Sequence, residues 1–295
     1  ISVAATGTFT IDNLTCYEID QAGGTGDCIQ VYDSAQASLI VDGGSYTKET
    51  SFKQAIRFFS SGSLTIRGNP RIDIQGTGAQ GISMEGTGTF TMTSGYITGT
   101  TGAPLIFTHT SGLTNISGTI LVGGDYGIWS SHATGTLNAF NNTIHEQAIA
   151  GVYHTTDGAG GSLDAKNNYI DAPTNIYDAH ASATTTASFN NYGPTLGAFR
   201  NNGTEYATLA LWQSASSQDA NSDDGVAPAF VGGASPITAE GFKLGASSAL
   251  RGAGKGLNMG HAHRDYGDRP FNAPPSIGAW EVKGGDSAAP RTARQ

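Results

Sequence analysis

Charge is scarce in this chain, and basic charge is scarcer than acidic charge. Only 13% of the 295 residues are charged, and the net charge is −9. No basic surface is available to neutralise phosphates, so nucleic acid is excluded as a partner. Apolar runs of about eighteen residues or more are also missing, so no segment is expected to span a membrane.

Cysteine is nearly absent as well. Cys16 and Cys28 are the only two, with eleven residues between them. They are interpreted equally well as two buried thiols or as a local disulfide worth roughly 3 kcal/mol, and a disulfide would favour an extracellular or periplasmic setting. Two cysteines without clustered histidines do not make a zinc site, so we expect no metal and no cofactor; calcium stays possible but has no support in the sequence.

Glycine and short repeated segments dominate what is present. The chain has 42 glycines and is 38% hydrophobic, a combination typical of short strands joined by tight turns. The segments GTLNAFNNTI from Gly135 and GSLDAKNNYI from Gly161 are similar copies, and GTFTMTSGYI from Gly88 is a third.

Two series of apolar residues give the period of this repeat. The first series recurs every 23–30 residues, and the second, half a repeat later, every 22–26 residues. The first series comprises Phe9, Leu39, Leu64, Phe90, Leu113, Leu137, Leu163 and, in a degenerate copy, Thr186. The second comprises Val31, Ile56, Ile82, Ile106, Ile128, Val152 and Ile176.

This period, with alternation inside each copy, predicts stacked strands. Leu137, Ala139 and Ile144 would point inward, while Thr136 and Asn138 would point outward. The predicted fold is all-β, a single right-handed parallel β-helix of about eight rungs. Each buried Leu, Ile or Val would contribute roughly 1.5–3 kcal/mol, and no rung could bury its own face alone.

Paired asparagines recur at one place in three of these copies. Asn141-Asn142, Asn167-Asn168 and Asn190-Asn191 each follow the second strand-like stretch. Asparagine tolerates the left-handed conformation of a sharp bend, and its amide can bond to the next asparagine in the stack. We interpret them as a structural ladder and not as catalytic residues.

The pattern changes after Tyr192. We divide the chain into rungs over 1–192, a capping segment of the same domain over 193–281, and a tail over 282–295. The capping segment contains one short helix, predicted for Glu205–Gln213, and would cover an open end of the β-helix. The tail is either flexible or docks on a neighbouring copy, and from it we predict self-association into an oligomer or fibre.

The capping segment carries a run of motifs: LALWQ, PAFV, SSALRGAG, DYGDRP and SIGAWE, in that order. This run resembles the closing segment of the bacterial and phage right-handed parallel β-helix family with a pectate-lyase-like fold. Ser248 stands where that family commonly has proline, and Leu250-Arg251 stands where it has Ile-Asp. The resemblance implies the fold and leaves activity open, because the segment occurs in lyases, adhesins and tailspikes alike.

One face of the predicted β-helix carries a stripe of aromatic residues. The residue after each of four members of the second apolar series is aromatic, and alternation turns these residues outward. We call them the aromatic stripe: Phe107, Trp129, Tyr153 and Tyr177. Histidines follow them closely, at His109, His132, His154 and His180.

Three interpretations of this stripe stay open. It could bind sugars or form an interface, it could merely support the sheet at roughly 0.2–1 kcal/mol per pair, or it could belong to a catalytic site. The weak catalytic candidates are His154, Asp178 and Asp157. No clustered aspartates that would hold calcium are evident, and no acid–base pair is singled out at the spacing that glycoside hydrolysis needs.

We therefore predict a non-enzymatic structural or adhesive protein with an extracellular, cell-surface or virion-surface location. It would serve as a fibre or filament subunit and could contact a polysaccharide through the stripe. The alternative is a polysaccharide lyase or glycoside hydrolase acting on an extended glycan.

Overall fold

The computed structural model describes most of the chain. The described residues are 1–3, 6–18, 26–32, 36–49, 53–131, 134–155, 161–179, 184–194, 197–257, 265–267, 271 and 274–281. Within them the chain winds through three parallel sheets, so that each turn adds one strand to each sheet. This confirms the predicted all-β parallel β-helix with one short helix.

Sheet A carries the aromatic stripe. Its strands, in spatial order, are β1 (Ser2–Val3), β4 (Ile29–Val31), β7 (Gln54–Phe59), β10 (Gln80–Gly86), β13 (Pro104–Thr110), β16 (Tyr126–Ser131), β19 (Ala150–Thr155), β22 (Thr174–Asp178), β25 (Ala198–Asn201) and β26 (Thr204–Tyr206). Only the last pair, β25 with β26, is antiparallel.

Sheets B and C complete each turn. Sheet B comprises β2 (Gly7–Asp12), β5 (Ala37–Asp42), β8 (Ser63–Arg67), β11 (Thr89–Met92), β14 (Leu113–Ser117), β17 (Thr136–Phe140), β20 (Ser162–Lys166) and β23 (Thr184–Ser188). Sheet C comprises β3 (Thr15–Glu18), β6 (Ser45–Lys48), β9 (Arg71–Ile74), β12 (Gly95–Gly99), β15 (Thr119–Gly123), β18 (Thr143–His145), β21 (Tyr169–Asp171), β24 (Asn191–Tyr192) and β27 (Asp223–Asp224).

The number of regular turns differs slightly from the predicted eight. About six turns, from β4 to β21, have strands of at least three residues in all three sheets. The first turn begins with the two-residue strand β1, and the last turn ends with the two-residue strand β24. The terminal turns are fragmentary because each lacks a complete neighbour on one side.

The predicted apolar series form the interior of the solenoid, with three corrections of register. Phe90 pairs with Thr114 and not with Leu113, which is 39% exposed. In the last turn Leu163 pairs with Thr185 and not with Thr186. In the second series Ile56 pairs with Ile29, two residues before Val31.

Glycines at the entrance to sheet B explain the first of these corrections. A Cβ atom on Gly62, Gly88 or Gly112 would lie 1.6–2.2 Å from a backbone oxygen of the preceding turn. Only glycine fits such a close approach, and in each turn the inward residue follows the glycine by two positions. This steric constraint places Thr114 inside, although Leu113 is the more hydrophobic residue.

The predicted asparagine ladder lies at the corner between sheets B and C. The Nδ2 of Asn142 donates to Oδ1 of Asn168 at 3.1 Å, and Asn168 donates in the same way to Asn190. All three side chains are fully buried. The third pair is shifted by one residue from the prediction, because Phe189 and not Asn190 has the left-handed backbone, with φ of 56°.

A helix closes the solenoid behind the last turn. Helix α1 (Leu209–Ser216) begins at the N-cap Thr208, whose hydroxyl accepts from the Leu211 amide. Trp212 is fully buried in the core and stacks on Phe199 at a centroid distance of 5.6 Å. The helix begins later than predicted because 204–206 form β26 instead.

The described residues from 226 onwards lie along the side of the solenoid and not across its end. We call residues 226–281 the C-terminal arm; its Phe230 and Trp280 pack in one buried cluster with Tyr169 of sheet C. Backbone contacts fix the arm, since the Ala279 amide donates to the Thr143 hydroxyl at 3.0 Å. Residues 282–295, where the docking tail was predicted, fall outside the described residues.

At the opposite end, Cys16 and Cys28 form a disulfide with their Cα atoms 6.1 Å apart. Phe9 and Ile11 in this first turn are only partly buried against the core. Within the described residues, no helix combines the length and the apolar character that crossing a membrane requires.

Candidate functional site

The aromatic stripe forms one continuous column on the outer face of sheet A. Phe107 pairs in register with Trp129, Trp129 with Tyr153, and Tyr153 with Tyr177. All four side chains are half-buried, whereas the residues before and after each of them are buried. Strand alternation therefore turns the four rings outward on successive turns.

Neighbouring rings of the stripe contact one another edge to face. Ring centroids lie 5.5 Å apart for Phe107 and Trp129, 5.3 Å for Trp129 and Tyr153, and 4.6 Å for Tyr153 and Tyr177. The interplanar angles are 84°, 80° and 70°. Edge-to-face pairs of this kind are favourable by about 0.5–1.5 kcal/mol each, so the stripe also stabilises its sheet.

Tyr126 joins the stripe, although the sequence pattern did not predict it. Its ring lies 5.1 Å from Trp129 and 5.0 Å from Tyr153. Tyr126 is three residues before Trp129, so strict alternation would point it inward. Gly127 and Ile128 are both buried, and this break in alternation turns Tyr126 outward.

The hydroxyls of Tyr126 and Tyr153 are protonated at neutral pH. Partial burial raises the pKa of Tyr126 and of Tyr153, and the neighbouring Tyr177 raises both further. Both hydroxyls can therefore donate as well as accept hydrogen bonds to a polar ligand.

Two ion pairs flank the stripe in the same column. Arg200 pairs with Tyr177 in strand register, and its guanidinium lies 5.2 Å from the Tyr177 ring while its Nε donates to Glu205 at 2.8 Å. At the other end Arg57 lies two turns before Phe107, and its Nε is 3.3 Å from a Glu85 carboxylate oxygen.

The histidines divide between the surface and the interior. His109 is exposed, and its ring is parallel to that of Phe107 at a centroid distance of 6.4 Å. His154 points into the solenoid, where its Nδ1 lies 3.4 Å from Oδ1 of Asp178 and both side chains are fully buried. His132, His180 and Asp157 lie outside the described residues.

Burial of His154 and Asp178 limits what they can do. The Thr185 hydroxyl donates to Asp178 inside the solenoid, which explains why a threonine replaces the apolar residue in the last turn. A polysaccharide on the surface cannot reach these groups. Across the part of the chain that the structure describes, no three His, Cys, Asp or Glu side chains gather as a metal site would require.

No protein-family model, no curated protein and no solved structure matches this chain. Function is therefore inferred from the geometry of the sheet A surface.

Proposed function

We propose that this chain is a structural or adhesive protein of a cell or virion surface that contacts a glycan through the aromatic stripe. The observation that carries this proposal is the column of four outward rings on consecutive turns. Pyranose rings pack their C–H faces on aromatic side chains, and an aromatic row on a rigid sheet presents several such contacts without an ordering cost.

The proposed location follows from the cysteines. A disulfide between Cys16 and Cys28 persists in oxidising surroundings such as the cell exterior. The run of motifs in the capping segment supports kinship with the pectate-lyase-like β-helix family, whose fold serves many functions. Self-association into a fibre or oligomer belongs to the same proposal, with the 282–295 tail as the element that would mediate it.

A glycan-binding experiment tests the proposal. The protein is passed over arrays of neutral and acidic polysaccharides, in parallel with Trp129→Ala and with Tyr17→Ala, a matched loss of an exposed aromatic on sheet C. We expect binding that weakens about tenfold or more, about 1.4 kcal/mol, in Trp129→Ala alone. Circular dichroism and thermal unfolding check that both variants fold.

Two results would overturn the proposal. One is the absence of binding to every polysaccharide on the array. The other is the release of new reducing ends or of unsaturated products, which would make the protein a hydrolase or a lyase.

A further inference from the structure

The stripe runs in one direction across the sheet, and this direction limits how an extended ligand can lie on it. Its rings lie on successive strands, so the row runs across the strands and along the axis of the solenoid. From Phe107 to Tyr177 the row covers three strand spacings, about 14 Å. A chain lying along one strand would meet a single ring, so only an axial chain can use all four.

The ring orientations set a second constraint. Because neighbouring rings are inclined by 70–84°, two adjacent rings cannot both lie flat against the sheet. Flat faces can recur only on alternate turns, either at Phe107 and Tyr153 or at Trp129 and Tyr177. Alternate turns are two strand spacings apart, about 10 Å, which is close to the length of a disaccharide.

Charge sets a third constraint. Each arginine in the described strands of sheet A is paired with a glutamate, as Arg57 is with Glu85 and Arg200 is with Glu205. The chain as a whole carries a net charge of −9. A polyanionic glycan would meet repulsion at long range and would find no unpaired cation on these strands.

Resting on the proposed function, we propose that the ligand is a neutral β-1,4-linked glycan that lies along the solenoid axis over Phe107, Trp129, Tyr153 and Tyr177. Successive units of such a chain are turned by half a revolution, so the same pyranose face recurs on every second unit. This repeat matches the alternate turns on which flat faces can recur. An α-1,4-linked chain coils, so it can follow a straight row of rings over only a short distance.

The test compares three hexasaccharides by titration calorimetry: cellohexaose, maltohexaose as the neutral α-1,4-linked control, and hexaglucuronate as the anionic β-1,4-linked control. We expect cellohexaose to bind at least tenfold more tightly than the other two. We also expect its affinity to increase from the disaccharide to about the tetrasaccharide and then to level off, because three to four units cover a row of about 14 Å. Trp129→Ala or Tyr153→Ala, whichever removes one of the two flat rings, should abolish this dependence on length, and Tyr17→Ala should keep it.

The outcomes separate this inference from the broader proposal. Maltohexaose binding as tightly as cellohexaose would refute the linkage assignment, and hexaglucuronate binding as tightly would refute the charge assignment. Either result, with loss in Trp129→Ala, would leave glycan binding intact. A dimer in light scattering that dissociates in Trp129→Ala would show instead that a second copy covers the stripe. Failure of every hexasaccharide and every polysaccharide to bind would remove both proposals.

Discussion

Asp219 takes the place of the next asparagine at the closed end of the solenoid. Its carboxylate accepts from Asn190 Nδ2 at 3.0 Å, Tyr192 Oη at 2.8 Å and Trp212 Nε1 at 2.9 Å, and Ser222 also donates to it. A carboxylate only accepts hydrogen bonds, whereas an asparagine would turn an amide N–H towards at least one of these donors. One aspartate thus ends the ladder and anchors helix α1.

Replacing Asp219 should destabilise the fold strongly. Asp219→Ala leaves several buried donors without an acceptor, and each such loss costs about 1–3 kcal/mol, so we expect a decrease of at least about 3 kcal/mol in the free energy of unfolding. Chemical denaturation followed by tryptophan fluorescence measures this decrease. Asp224→Asn, at an exposed position five residues later, should change stability by less than about 0.5 kcal/mol.

A pH series on Asp219→Asn gives a second readout of the same residue. Burial raises the pKa of the Asp219 carboxyl despite its hydrogen bonds, so the folded state binds this proton more readily than the unfolded state. The wild-type contribution is therefore favourable at low pH and is lost as the pH rises through the folded pKa. The wild-type protein should lose stability relative to Asp219→Asn as the pH is raised from about 4, the ordinary pKa of an aspartate, towards neutrality. A constant difference over this range would contradict the assignment.

At the scale of the single strand, the register follows glycine more closely than hydrophobicity. The period, the sheet alternation and the asparagine ladder were all predictable from sequence because they repeat. The inward position of Thr114 in place of Leu113 was not predictable. The deciding contact is between a backbone oxygen of the preceding turn and a glycine that has no side chain. Thr185 likewise lies inside because buried Asp178 accepts its hydroxyl, a contact with no local sequence signal.

This account of register predicts the effect of Gly88→Ala. The new Cβ would lie 1.6 Å from the Gly62 carbonyl oxygen, so the backbone of two turns must shift. We expect a loss of about 3 kcal/mol or more, at the upper end of overpacking costs, or failure to fold. Gly256→Ala is the matched control, because no atom lies within 4 Å of its added Cβ. Equal thermal midpoints for the two variants would contradict the steric account.

The candidate site was predictable in part at this scale. Four outward rings followed from alternation, whereas Tyr126 required the break at Gly127. The grouping of His154 with the stripe was wrong for a different reason. It rested on closeness along the chain, whereas the face of the strand decides where a side chain points. A residue next to outward Tyr153 must point inward, as the structure finds. Arg200 lies in the same column as the stripe because β25 pairs with β22, a register that the sequence pattern did not predict.

At the scale of the whole molecule, the two ends differ in how well they are covered. Helix α1 and Trp212 close one end, whereas strands β2 and β3 in the first turn each pair on one side only. Each turn is stabilised mainly by its neighbours, so a turn with one neighbour opens first.

Hydrogen exchange should show this difference as a gradient. We expect amides of β2 to exchange much faster than amides of β17, which is paired on both sides. The double variant Cys16→Ser/Cys28→Ser should accelerate exchange in β2 and β3 about a hundredfold, in line with a disulfide worth about 3 kcal/mol, and should leave β17 unchanged. Uniform protection along the chain would contradict a stability that varies by turn.

The closing elements imitate one further turn of the solenoid. Ser222 accepts from the Asn190 amide as Asn190 itself accepts from the Asn168 amide, at 2.9 and 3.0 Å. A closing segment whose hydrogen bonds need only the last turn fits a solenoid with any number of turns. Duplication or deletion of one repeat in the gene would then change the rod, and any row of contacts along it, in whole steps of about 4.8 Å. Proteins that differ only in the number of repeats would then differ in the length of this surface while keeping the same fold.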